Sequence, residues 1–155
     1  MVVVATDQEY IEARKRFKNE LILKTGVGGL NVIESLSPID RNEEIINFGY
    51  VGSNVIPIGV EVTISESMLY HPGVSYKEPS YQLSGDIKCY TSNDFVTKTN
   101  IKEPVVFDME LAYILAMGFK NVESIKIVSD NLNLHEYVKV VGYGERETIR
   151  LTTDI

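Results

Sequence analysis

The sequence predicts an α/β protein whose sheet is covered on both faces. Short apolar runs alternate with segments of helical period along most of the chain. Several of those runs, such as Val2 to Ala5, are continuously apolar, and a strand with one wet face would alternate instead.

Val2 to Ala5 is the first strand, and Thr6 and Asp7 behind it are helix-start residues. In "DQEYIEARKRF", Tyr10, Ala13 and Phe17 recur at helical spacing while Glu12, Arg14, Lys15 and Arg16 fill the other faces. "ELILK" is a second strand. "TGVGGLNVIESLSP" is a glycine turn leading into a helix marked by Leu30, Ile33 and Leu36 and ended near Pro38. "EEIINFGYVGS" reads as a buried strand leaving through glycines, and "GVEVTISES" as a further, alternating strand. Met68 to Ser84 has prolines and tyrosines without a period, which predicts a long loop of the kind that often carries function. "DIKCYTSNDFV" and "EPVVF" are strands, and "MELAYILAMGF" is a helix closed by Gly118. "VESIKIVSD" is the next strand. Beyond Asn131 the pattern weakens: "EYVKVVGY" and "ETIRLTTDI" read as strands, the second also as a helix.

A chain of 155 residues can bury a core without disulfides or metal, so a single domain over 1–155 is expected. Its formal charge of -7 repels phosphate backbones and anionic lipid, which argues against nucleic acid and membrane partners. No apolar run is long enough to span a bilayer and "MVVVATDQEY" lacks the form of a signal peptide, so a cytoplasmic protein is expected. Cys89 is the only cysteine, and His71 and His135 lack metal-ligand spacing. Metal independence is therefore expected.

In α/β sheets, ligands gather beyond the carboxyl ends of strands. "TGVGGL" lacks the third glycine of G-x-G-x-x-G, where Asn31 stands, and there is no P-loop lysine. What remains is a tight turn; its free amides, Gly28 among them, receive an anion or a ribose hydroxyl, or form a plain turn. Glu9 lies in the first turn of a helix, where the dipole favours a carboxylate in any case. Asp130 in "VSDN" is also a common turn former. Asp108 reads as a helix N-cap with Glu110 in the turn that follows. Together, Glu9, Glu110 and Asp130 each follow a predicted buried strand. One sheet would bring all three to one rim, as acid and base chemistry requires.

Six segments, in order along the chain, resemble the purine nucleoside phosphorylase and methylthioadenosine/S-adenosylhomocysteine nucleosidase superfamily. "ILKTGVGGLNVIESL" is similar to its glycine turn and helix, "IINFGYVGS" to its I-N-x-G-x-x-G strand, and "MLYHP" to its Y-H-D region. "YTSNDFV" resembles S-G-D-x-F, "VVFDMELAYIL" resembles V-x-D-M-E-x-A, and "IKIVSDN" resembles V-R-x-I-S-D. The resemblance implies a three-layer α-β-α sandwich with a central mixed, largely parallel sheet, here in a trimmed form. It also implies cleavage of the N-glycosidic bond of a purine nucleoside, without metal or redox cofactor, by a homo-oligomer.

By position, the resemblance assigns Glu110 and Met109 to the ribose and Asp130, accompanied by Ser129, to protonation of the leaving base. Phe95 would stack on the base, Val96 would meet its edge through the main chain, and Glu9 would deprotonate the attacking water. Tyr50 stands where Ser or Thr is usual near the nucleophile, and Lys126 stands where Arg is usual. Asn93 replaces a glycine, Pro72 replaces an aspartate, and Ala5 and Gln8 occupy the region of the phosphorylases' phosphate ligands. The retained Glu9 and missing phosphate ligands favour hydrolysis of an adenosine, methylthioadenosine or S-adenosylhomocysteine type of nucleoside. A phosphate-dependent phosphorylase and a catalytically weak nucleoside- or nucleotide-binding protein are the alternatives.

Overall fold

In the computed structural model, residues 1–72 and 79–142 are described. The strands are β1 (Val2–Val4), β2 (Ile22–Lys24), β3 (Glu44–Ser53), β4 (Glu61–Leu69), β5 (Ser80–Gln82), β6 (Ile87–Thr91), β7 (Val105–Asp108) and β8 (Asn121–Asp130). The helices are α1 (Asp7–Arg16), α2 (Gly29–Leu36), α3 (Leu111–Ala116) and α4 (Leu134–Val141).

The sheet is mixed, with more parallel than antiparallel pairings, as expected. It also closes on itself into a ring, which the expectation of a three-layer α-β-α sandwich did not include. β3 pairs in parallel with β8 over nearly its whole length, and β8 turns antiparallel onto β4. β4 continues through β6 to β7, and β7 returns to the last residues of β3, Gly52 and Ser53. Strands as long as β3 and β8 accumulate twist, and closing the ring removes edges that would otherwise stay unpaired. β1 and β2 extend from β3 as a parallel arm.

The arm is covered on both sides, and strand alternation shows how. Val2 and Val4 pack with Ala13 of α1 and Phe48, while Val3 packs with Val32 and Leu36 of α2 and Ile114 of α3. The ring interior holds Val51, Ile64, Cys89, Val106 and Val128, joined by Leu111 and Leu115 of α3.

Three expectations need correction. α2 turns Gly29, Val32 and Leu36 inward, leaving Leu30 84% and Ile33 43% exposed. Gly29 sets this rotation, because a Cβ there would lie 2.7 Å from the Tyr113 ring; only that face allows α2 to approach α3 so closely. Residues 136–141 of "EYVKVVGY" are not a strand: α4 occupies them, capped by Asn133, which accepts the Glu136 N–H at 3.1 Å. Leu134, Tyr137, Val138 and Val141 of α4 pack together, at helical spacing. The loop expected from Met68 to Ser84 begins as the end of β4 and contains β5. "ETIRLTTDI" lies outside the described residues.

Candidate functional site

α1 starts as the sequence predicts, with Thr6 as N-cap. Thr6 Oγ1 accepts the Glu9 N–H at 3.2 Å, and Glu9 Oε1 accepts the Thr6 N–H at 3.1 Å, completing a capping box. Glu9 does more than close a helix end. Its carboxylate also accepts the N–H groups of Ala5 at 2.8 Å and Tyr50 at 2.7 Å, the second from β3. The carboxylate therefore lies across the β1–α1 junction and against β3.

It fits there because position 49 is glycine: a Cβ on Gly49 would sit 2.5 Å from Glu9 Oε2. Further along β3 the same device recurs. A Cβ on Gly52 would sit 2.7 Å from Asp130 Oδ2. Both carboxylates assigned to the chemistry thus lie in notches cut by glycines of one strand.

Asp130 reaches its notch through a bulge in β8, where pairing shifts from Val51–Val128 to Gly52–Asp130 and leaves Ser129 as the additional residue. Ser129 Oγ donates to Asp130 Oδ1 at 2.7 Å, and the Leu132 N–H donates to Oδ2 at 3.0 Å. Leu132 takes a positive φ of 64° to make this turn. Asp130 is fully buried. Burial raises its pKa more than the bonds from Ser129 and the Leu132 and Asn133 amides lower it, and Glu136 adds to the rise.

The N-cap position of α3 falls to Glu110, which makes no side-chain cap bond, and not to Asp108 as the sequence predicts; β7 ends at Asp108. Asp108 Oδ2 accepts the N–H groups of Leu111 at 2.7 Å and Glu110 at 3.3 Å, so it does hold the start of α3. Its Oδ1 takes the Thr91 hydroxyl at 2.5 Å, and Lys126 Nζ lies 3.4 Å from Oδ2. Glu110 follows at this corner, and its Oε2 accepts the Gly28 N–H at 2.8 Å. The Gly28 amide is therefore occupied by a carboxylate of the chain itself. Burial, Asp108 and Glu9 push Glu110 up to about 8, against the Gly28 amide and Lys126. Glu9 is also raised, by burial, against Lys126 and the amides of Tyr50, Ala5 and Thr6.

These groups line one cavity. Glu9, Tyr50, Phe95, Met109, Glu110 and Asp130, all predicted from the sequence, meet there. Ser129 stands behind Asp130 rather than on the wall, Gly28 touches the site through Glu110, and Val96 lines a neighbouring cavity of about 340 Å³ beyond Phe95. The side chain of Tyr50 packs with Phe95 and the residues of α4. Burial, Glu12 and Glu9 push its hydroxyl up to about 12, against a hydrogen bond with Gln8.

Tyr137 and Lys126 were not anticipated as site residues. Tyr137 of α4 closes the cavity, its ring edge-on to Phe95 at 5.4 Å and 65°. The cavity is about 40 Å³, room for a few water molecules. A larger cavity of about 600 Å³ lies at the opposite strand ends, by Met1, Glu44 and Asn121. It contains none of the buried carboxylates, so the chemistry points to the smaller one. Lys126 is legible in hindsight as a lone charge in the apolar alternation of "IKIVSD".

By sequence, no protein-family model and no curated protein matches the chain. By structure, it is similar to the 5'-methylthioadenosine/S-adenosylhomocysteine nucleosidase of Neisseria meningitidis, with TM-score 0.71, 16% identity and 90% of each chain covered. The S-adenosylhomocysteine nucleosidase of Streptococcus pyogenes matches with TM-score 0.70 and 15% identity, over 97% of this chain and 93% of the other. The futalosine hydrolase of Helicobacter pylori matches with TM-score 0.72 and 11% identity, over 99% and 94%. At these identities the likeness is one of fold: the chain has the fold that these nucleosidases and the futalosine hydrolase share.

Proposed function

We propose that the protein hydrolyses the N-glycosidic bond of a purine nucleoside, as a single-domain cytoplasmic enzyme and a homo-oligomer. The observation that carries this is the meeting of Glu9, Glu110 and Asp130 in one cavity of a nucleosidase fold. Asp130 is the general acid. Its raised pKa favours the protonated form, and as the C1'–N bond breaks, its proton moves to a ring nitrogen of the departing purine. Water attacks C1' and gives its proton to Glu9, whose raised pKa makes it a better base than an ordinary carboxylate. Glu110 takes the ribose hydroxyls. Burial, Asp108 and Glu9 push it up to about 8, and the positive charge developing on the ribosyl ring favours its anionic form in the transition state.

Phe95 stacks on the base, Val96 offers its main chain beyond it, and Met109 packs beside the sugar. A nucleoside exceeds a cavity of about 40 Å³, so on this reading Phe95 and Tyr137 part when it binds.

The test is a panel of adenosine, inosine, methylthioadenosine and S-adenosylhomocysteine, with and without phosphate, on wild type and Asp130→Asn. Free base released without phosphate, and lost in the variant, supports the hydrolase. Release only with phosphate means a phosphorylase. The small cavity also favours a second reading, a nucleoside binder with weak turnover; calorimetric binding without base release would establish it.

A further inference from the structure

The acid and base roles above leave Lys126 unassigned. It stands on β8, is 2% exposed, and is the only buried side-chain cation among the described residues. Its ammonium lies 3.4 Å from Asp108 Oδ2. The titratable groups that act on it are Asp108 and Glu110 at the β7–α3 corner, Glu9 of α1 and Cys89 of β6. Asp108 binds that corner at several points, through the Leu111 and Glu110 amides and the Thr91 hydroxyl. Thr91 Oγ1 in turn accepts the Ala112 N–H at 3.0 Å. α3 is only six residues long, so these bonds, rather than helix length, decide how the main chain leaves β7. A buried carboxylate keeps such an arrangement only while a countercharge balances it.

We propose that Lys126 is a positioning residue: by holding Asp108 it fixes the main chain at Glu110, and so keeps the Glu110 carboxylate on the Gly28 amide at the wall of the site. The proposal rests on the nucleosidase reading for the reaction it serves. The Glu110–Gly28 bond, at 2.8 Å, is its local signature and exists without any substrate.

Lys126→Met leaves Asp108 buried and unpaired, which can unfold the chain. The deciding variant is therefore Lys126→Met combined with Asp108→Asn, which removes both charges at near-constant shape and leaves an amide oxygen to accept from the corner. Circular dichroism and a cooperative unfolding transition establish its fold. Two readouts follow: kcat and KM for base release, and hydrogen exchange of the Gly28 amide by NMR, calibrated with Glu110→Ala.

The expected result is a fall in kcat of about tenfold or more with KM within about twofold, and Gly28 exchange faster by about tenfold. The proposal survives only if both change. A folded double variant with wild-type kcat, or with Gly28 protected as in wild type, overturns it. If wild type releases no base from any nucleoside, the nucleosidase reading fails, and Gly28 exchange alone still decides whether Lys126 holds the corner.

Discussion

Gly49→Ala tests the notch under Glu9. The added Cβ would lie 2.5 Å from Glu9 Oε2 and 3.0 Å from its Cδ, well inside van der Waals contact. The carboxylate cannot yield easily, because the amides of Ala5, Thr6 and Tyr50 hold it from two elements. Retreating about 1 Å breaks at least the Tyr50 bond, and a lost bond to a charged group costs about 1.5–3 kcal/mol. Overpacking adds about 1–3 kcal/mol. Urea unfolding should therefore show a loss of roughly 3 kcal/mol. A base moved by about 1 Å should lower kcat by roughly a hundredfold. The decisive comparison is with Glu9→Ala, which empties the space the new methyl would enter. Gly49→Ala should then cost less than about 1 kcal/mol in that background, because nothing remains to clash. If the methyl costs the same in both backgrounds, the notch does not exist for Glu9 and the argument fails.

Asp130→Asn should lower base release by about two to four powers of ten, the usual weight of a general acid, and keep calorimetric nucleoside affinity; undiminished turnover would assign the proton elsewhere. Stability should depend on pH through Glu110, raised from 4.5 to about 8. The folded state then holds a proton that the unfolded state has lost. That contribution is complete below pH 4.5 and disappears as pH rises through about 8, so the urea midpoint should fall over this window. Glu110→Gln should flatten the fall, and an equally steep fall in the variant would mean Glu110 is not its source. Asp130, raised by burial, acts with the same sign. Tyr137→Ala removes the edge-on partner of Phe95 and should cost roughly 3 kcal/mol of stability. It should also raise the nucleoside off-rate in stopped-flow measurements; an unchanged off-rate would show that α4 does not cover the site.

Legibility followed chain locality. The apolar runs of β1 to β4 and β6 to β8, the helix start at Thr6 and Asp7 and the Gly118 helix stop are local signals, and each element appears within the run that predicts it or overlapping it. The inner face of α2 was misread because Leu30 and Ile33 have the hydrophobicity of core residues, whereas the rotation is set by Gly29 meeting Tyr113. α4 was misread because three valines favour strand, while Leu134, Tyr137, Val138 and Val141 carried the helical period that packing obeys. Ring closure was not legible, since it depends on β7 returning to two residues of β3. The carboxylates of the candidate site were legible as residues that follow buried strands. Their partners were not: Lys126 under Asp108 is a contact between strands, and the sequence shows only a charge in an apolar run, at a position where the resemblance expects Arg.

β3 explains why three carboxylates from three parts of the chain can meet. It is bonded to β1, β7 and β8, the strands whose ends lead to Glu9, Glu110 and Asp130. The notches at Gly49 and Gly52 are three residues apart, about 10 Å along a strand. That spacing matters for the chemistry. Carboxylates about 5 Å apart suit a covalent glycosyl intermediate, whereas those roughly 6.5–9.5 Å apart leave room for a water between base and sugar. On the proposed hydrolysis, Glu9 and Asp130 occupy separate notches of β3, and water attacks directly from the Glu9 end while the base leaves at the Asp130 end. Solvolysis in water containing methanol, which traps the sugar as a methyl riboside that does not mutarotate, would read this directly by NMR: inversion at C1' is expected, and retention would require a carboxylate close enough to bond the sugar.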